Sequence, residues 1–100
     1  MINHELVKIF REIAVILEMK GVDFKPRAYE KVAYALEALE EDVGEIYKKG
    51  GLKALEDIPG VGASIAEKIE EYIGSGHIKE YQKLKEEIPV DIGASLQNHL

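Results

Sequence analysis

The sequence predicts an all-α fold, a compact bundle of short helices, and three observations carry that expectation. Apolar residues recur at three- and four-residue spacing in one stretch after another. The strict alternation of apolar and polar residues that marks a half-buried strand is nowhere convincing. Glycine and proline punctuate the chain at Gly21, Pro26, Gly50-Gly51, Pro59-Gly60 and Gly74-Ser75-Gly76, cutting the periodic stretches into short helical lengths.

Taken in order, Asn3 is read as the cap of a first helix that runs to about Met19, with Leu6, Ile9, Phe10, Ile13, Ile16 and Leu17 on its apolar face and Gly21 as its stop. A second helix begins near Pro26, a residue suited to a first helical turn, and buries Tyr29, Val32, Ala33, Leu36 and Leu39. Asp42 and Glu45 resemble a capping box for a short third helix through Ile46 and Tyr47, broken at Gly50-Gly51. Leu52 and Leu55 then belong to a brief helix before the turn at Pro59, and a further helix runs from about Ala63 to Ile73. The last helix carries Ile78, Tyr81 and Leu84 to roughly Glu87. Pro89 closes the compact part, so residues 1–89 are read as one domain and residues 90–100 as a tail with no assigned role.

A chain of 100 residues has room for one small domain. Without cysteine it has no disulfide framework, no thiolate nucleophile and no sulfur-ligated zinc. The apolar run Ile13 to Leu17 is too short to cross a bilayer, and no signal-peptide pattern opens the chain, so a soluble cytoplasmic protein with no membrane partner is expected. The net charge of −6 argues against holding nucleic acid by bulk electrostatics. The charge is uneven, however. Glu37, Glu40, Glu41, Asp42 and Glu45 gather acid in one region, while Lys25, Arg27 and Lys31, and later Lys79, Lys83 and Lys85, are locally basic.

The most informative stretch runs from Leu55 to Ile69. Pro59 fixes its own φ and biases Ile58 away from helix, Gly60 and Gly62 are free to take positive φ, and a helix follows at once from Ala63. Such a turn exposes unpaired N–H groups at the positive end of a helix dipole, a place for a phosphate that needs no basic side chain. The candidate contacts are Gly60, Val61, Gly62, Ala63 and Ser64. A Pro-Gly turn that merely links two helices is the competing reading. Ile58, Val61, Ile65, Ala66 and Ile69 in helical register around the turn favour a helix-hairpin-helix.

Two segments carry a more specific resemblance over roughly Ile9 to Pro89: Arg27-Ala28-Tyr29-Glu30-Lys31-Val32-Ala33, and Ile58-Pro59-Gly60-Val61-Gly62 continuing through Ile65-Ala66-Glu67-Lys68-Ile69 to Gly74-Ser75-Gly76. The chain resembles the amino-terminal, lyase-type domain of family X DNA polymerases. That resemblance implies a helical module that holds the 5′-phosphate side of a gap or nick in DNA without sequence specificity, as the amino-terminal part of a DNA repair polymerase whose other domains lie beyond this chain. It also implies 5′-deoxyribose-phosphate lyase activity, with the family's lysine falling on Lys68. Lysine suits the task, because an amine must attack the open-chain aldehyde to form a Schiff base. On the helix, Lys68 stands at the edge of the Ile65, Ala66, Ile69, Tyr72 and Ile73 face, with Glu67 and Glu71 close enough to favour its unreactive ammonium form.

The family's 5′-phosphate pocket matches at Lys25 and Tyr29 and departs at Phe24, Ser64 and Glu80, where the family carries a histidine and two basic residues. Each departure removes positive charge. Tyr29 is in phase with Val32 and Leu36, so core packing and phosphate contact are both open to it. Lys25 and Arg27 at a helix start are unfavourable to the dipole, which favours an anion contact. His4, His77 and His99 form no ligand pattern, although His77, just past Gly76, could touch phosphate. The resemblance requires no cofactor. It does imply a monovalent cation, Na+ or K+, on the backbone carbonyls of Glu56, Ile58 and Val61. No paired aspartates suited to magnesium-assisted nucleotide transfer appear, so polymerisation is not expected of this chain. The alternative function is a non-catalytic module that docks on a repair partner through the acid near Glu40 to Glu45.

Overall fold

A computed structural model describes residues 1–87, and the expectations for Pro89 and the 90–100 tail lie outside the described residues. Five helices follow one another: α1 (Ile2–Met19), α2 (Lys25–Ala38), α3 (Val43–Glu56), α4 (Ala63–Ser75) and α5 (Lys79–Glu86), with no strand among the described residues. The all-α expectation holds, and the helix boundaries fall close to the predicted ones.

α1 supplies the central stripe of the core. Leu6, Phe10, Ile13, Ala14 and Ile16 are fully buried and face Val32, Ala33 and Leu36 of α2. The chain turns between these helices through residues 20–24: Val22 N–H bonds the Leu17 carbonyl and Gly21 N–H bonds the Glu18 carbonyl, each at 3.0 Å, which satisfies the carbonyls left over at the end of α1. The core then continues into Val43 and Leu55 of α3, Ile65, Ala66 and Ile69 of α4, and Ile78 and Leu84 around α5. Burying each of the valine, leucine, isoleucine and phenylalanine side chains contributes about 1.5–3 kcal/mol.

Asn3 does not cap α1 as the sequence suggests. It lies inside the helix, is buried, and reaches across to the start of α3, where its Oδ1 accepts from Val43 N–H at 2.8 Å and its Nδ2 donates to the Glu41 carbonyl at 3.0 Å. Asp42 returns the favour with one oxygen on each helix, accepting from Ile2 N–H at 3.0 Å and from Gly44 N–H at 2.9 Å. The predicted cap at Asp42 is present. Glu45 takes part through its backbone N–H, which bonds the Asp42 carbonyl at 3.0 Å, and not through its side chain.

The predicted break at Gly50-Gly51 is a kink inside α3, where Gly51 takes φ 67° and ψ −157°. The residues after it form the brief helix that leads into the turn. Across that turn, α3 and α4 are tied by the Tyr47 hydroxyl, which donates to Glu70 at 2.7 Å. No described helix is long and apolar enough to cross a membrane.

Candidate nucleic-acid interface

The turn between α3 and α4 is pinned from beneath and open above. Ile58 and Val61 are 6% and 5% exposed, and with Leu55, Ile65 and Ala66 they anchor the turn in the core. Pro59, Gly60, Gly62, Ala63 and Ser64 are exposed. Val61 N–H bonds the Ile58 carbonyl at 3.0 Å with Gly60 at φ +88°, so Ile58 to Val61 form a tight turn with proline and then glycine at its centre. An L side chain at Gly60 would be strained by that φ. Gly62 differs from the expectation: at φ −88° and ψ 177° its backbone is extended and makes no use of positive φ. It is the N-cap of α4, and having no side chain it leaves the first turn of that helix uncovered.

The amides of Gly60, Gly62, Ala63 and Ser64 find no acceptor in the turn or in a cap, and the first hydrogen bond of α4 is Ala66 N–H to the Gly62 carbonyl at 2.9 Å. Of the five expected contact residues, Val61 alone spends its N–H within the turn. Among the described residues the carbonyls of Glu56 and Val61 accept no backbone N–H, while that of Ile58 accepts one.

Lys68 points back along α4 toward this turn, its Nζ 3.4 Å from the Ser64 hydroxyl. Of the two carboxylates expected beside it, Glu67 and Glu71, the second is engaged by a backbone amide. Glu71 accepts the Lys79 N–H at 2.9 Å and Glu70 holds Tyr47, and no ion pair joins Lys68 to an acid among the described residues. Lys25, Arg27 and Lys31 are exposed and likewise outside the ion pairs found among the described residues.

Tyr29 is 7% exposed, packs on Phe10 with ring centroids 5.8 Å apart, and so belongs to the core. Burial pushes its hydroxyl pKa up, and the Glu80 carboxylate pushes it the same way. Glu80 thus lies near enough to Tyr29 to act on its hydroxyl. His77 lies past the far end of α4. Thirteen helical residues at about 1.5 Å each separate it from the hairpin by roughly 18–20 Å, too far to share one phosphate with the free amides. Its N–H bonds the Ser75 hydroxyl at 3.1 Å.

Two features were not legible beforehand. Phe24 is 89% exposed and sits at φ 68°, ψ −42°, the one positive φ outside glycine among the described residues. Strain of that kind costs about 1–3 kcal/mol and persists where something else over-determines the backbone. Beyond the hairpin, a cleft of about 710 Å³ between α1 and α5 is lined by Lys8, Glu12, Tyr81 and Lys85 among others. Glu12 is buried there, and burial raises its carboxyl pKa above the ordinary value despite Lys8 and Lys85 nearby.

Residues 1–78 match the family described as the helix-hairpin-helix domain. No curated protein matches the chain.

Proposed function

The chain belongs to the helix-hairpin-helix domain family, and from that premise we propose that it binds DNA at gaps or nicks without reading sequence, as the amino-terminal domain of a family X repair polymerase. The observation that carries the reading is the set of uncovered amides of Gly60, Gly62, Ala63 and Ser64, exposed at the positive end of α4 above a buried anchor. Main-chain donors recognise phosphate oxygens and not base edges, so the contact is indifferent to sequence. Lys25 and Arg27 add charge at the start of α2. Phe24, an exposed ring beside them, suits stacking on an unpaired base, and such bases are accessible at a gap. A Na+ or K+ ion bridging the carbonyls of Glu56, Ile58 and Val61 to a phosphate would complete the grip.

The test is affinity for a gapped duplex against an intact one, with and without a 5′-phosphate, at two salt concentrations. Tighter binding to the gapped form supports the reading, and equal binding to both refutes the gap preference.

Lyase chemistry is a second reading, favoured by the position of Lys68: its amine is directed toward the hairpin and is paired with no carboxylate among the described residues. In that reaction the unprotonated amine adds to C1′ of the open-chain sugar and water leaves, giving an imine. Loss of a proton from C2′ then breaks the C3′–O bond, the 5′-phosphorylated DNA departs, and water hydrolyses the imine to return the lysine. Borohydride trapping on an incised abasic duplex tests it. Trapping by the parent and none by Lys68→Ala is the expected result, and equal trapping by both would remove Lys68 from the role.

A further inference from the structure

We propose that Lys31 is a phosphate-binding residue of the hairpin, contributed by a helix outside it. The proposal rests on the hairpin reading above and extends the same site. A Cβ placed on Gly60 would stand 3.6 Å from Cγ, 3.9 Å from Cδ and 3.8 Å from Cε of Lys31. Three successive methylene carbons at nearly equal distance mean that the stem of Lys31 runs across the turn and does not point at it. The ammonium, one bond beyond Cε, therefore lies close to the turn at Gly60.

Several further facts favour a ligand contact over simple cover for the glycine. Lys31 is exposed, and neither the hydrogen bonds nor the ion pairs among the described residues include its amine. A side chain whose apolar stem lies on protein and whose charged end is left in water has already given up part of its freedom, so less entropy is lost when an anion binds. The dipole of α4 supplies about half a positive charge at its N-terminus, less than one phosphate carries. The residues that open α4, Gly62, Ala63 and Ser64, are all uncharged. Lys31 brings a full charge beside Gly60, two residues before the N-cap of that helix. Arg27 lies one turn earlier on the exposed side of α2, so a strand leaving the hairpin along that face meets a second cation.

The experiment measures affinity of the full chain for a gapped duplex between 50 and 200 mM salt. One phosphate contact accounts for a slope of about 0.9 in log affinity against log salt, which over that fourfold range is about 3.5-fold in affinity. Lys31→Met keeps the apolar stem and removes the charge, so its slope should be shallower than the parent's by about 0.9. Lys31→Arg should keep the parent slope. Lys8→Met, which makes the same change in net charge in the α1–α5 cleft, should keep it too. Lys31→Gln gives an independent reading should the methionine variant fold poorly. A parent-like slope for Lys31→Met and Lys31→Gln overturns the proposal, as does an equal loss in Lys8→Met, which would mean that net charge alone was sensed. A parent chain that does not bind the duplex overturns the hairpin reading and this proposal together. A parent that binds while Lys31→Met follows it overturns only the proposal.

Discussion

Replacing Asn3 with alanine tests the cross-brace that seats the hairpin-bearing half of the molecule on α1. The side chain makes two bonds, from Val43 N–H at 2.8 Å and to the Glu41 carbonyl at 3.0 Å, and the first is buried. Alanine fills neither role. The stranded Val43 N–H costs about 1–3 kcal/mol, whereas the Glu41 carbonyl, in a partly buried position, can turn to water at smaller cost. Alanine in place of an ordinary capping asparagine costs about 0.5–2 kcal/mol, so an overall loss of about 2 kcal/mol is expected. For a domain of this size, that lowers the unfolding midpoint by about 8–16 °C. Urea unfolding followed by far-ultraviolet circular dichroism reads it directly, with the slope against denaturant unchanged. Lys48→Ala, at an exposed position on the same α3, should stay within about 0.5 kcal/mol of the parent. A loss below about 0.5 kcal/mol for Asn3→Ala would refute the argument, because it would show that packing and the Asp42 bonds hold the start of α3 without Asn3.

Three further outcomes follow from the geometry. Gly60→Ala should cost about 1–2 kcal/mol in the same urea assay, all of it from φ +88°, since the nearest Lys31 carbon at 3.6 Å is an ordinary contact; no loss would rule out the turn as described. Glu80→Gln should bring the Tyr29 hydroxyl pKa down part of the way while burial keeps it above its ordinary 10.0, and should raise any preference for a 5′-phosphorylated gap; ultraviolet titration and paired binding assays check the two effects. Burial raises the Glu12 carboxyl pKa above its ordinary 4.5, so the folded chain binds that proton more tightly than the unfolded chain and ionisation opposes folding. Glu12→Gln should therefore match the parent in stability below about pH 4.5 and become the more stable of the two as pH rises through the raised value; a pH-independent difference would contradict this.

How much of this was legible in the sequence depends on how far apart the interacting residues lie. Helix positions were readable because each helix writes its buried face within a few residues, as in Ile65, Ala66 and Ile69. The turn was readable because Pro59 and Gly60 act on their own dihedrals. Gly62 marks the limit of that signal: composition says that a glycine can take positive φ, not that it does, and here its value is the missing side chain. Asn3 looked like a cap because capping residues are recognised by their place before an apolar run. Its true partner is α3, 38 to 40 positions along the chain, a pairing that no local pattern records. Lys31 over Gly60 belongs to the same class. Phe24 was hidden differently, since an apolar residue before a helix ordinarily packs onto the next turn, and its exposure follows from a φ that only coordinates reveal.

A net charge of −6 and a phosphate-binding surface are compatible once the acids are followed to where they end. Asp42 is committed to two backbone amides, Glu41 to Lys49 at 2.7 Å, Glu37 to Arg11 at 3.1 Å, Glu70 to Tyr47 and Glu71 to the Lys79 N–H. The acidic region that would serve a protein-docking module is thereby reduced chiefly to Glu40 and Glu45. Lys25, Arg27, Lys31 and Lys68 carry no such commitment among the described residues. The Glu41–Lys49 and Glu37–Arg11 ion pairs lie at the surface, and Glu56, Asp57 and Glu67 stay exposed beside the turn, so the grip rests on the placed amides and on a few positioned cations and not on a favourable local charge. Binding built this way depends on a few placed contacts, so it should weaken gently with salt, in contrast to the steep loss shown by proteins that neutralise many phosphates. A steep slope in the parent chain would place the DNA on some broader basic surface and take it away from the turn at Gly60.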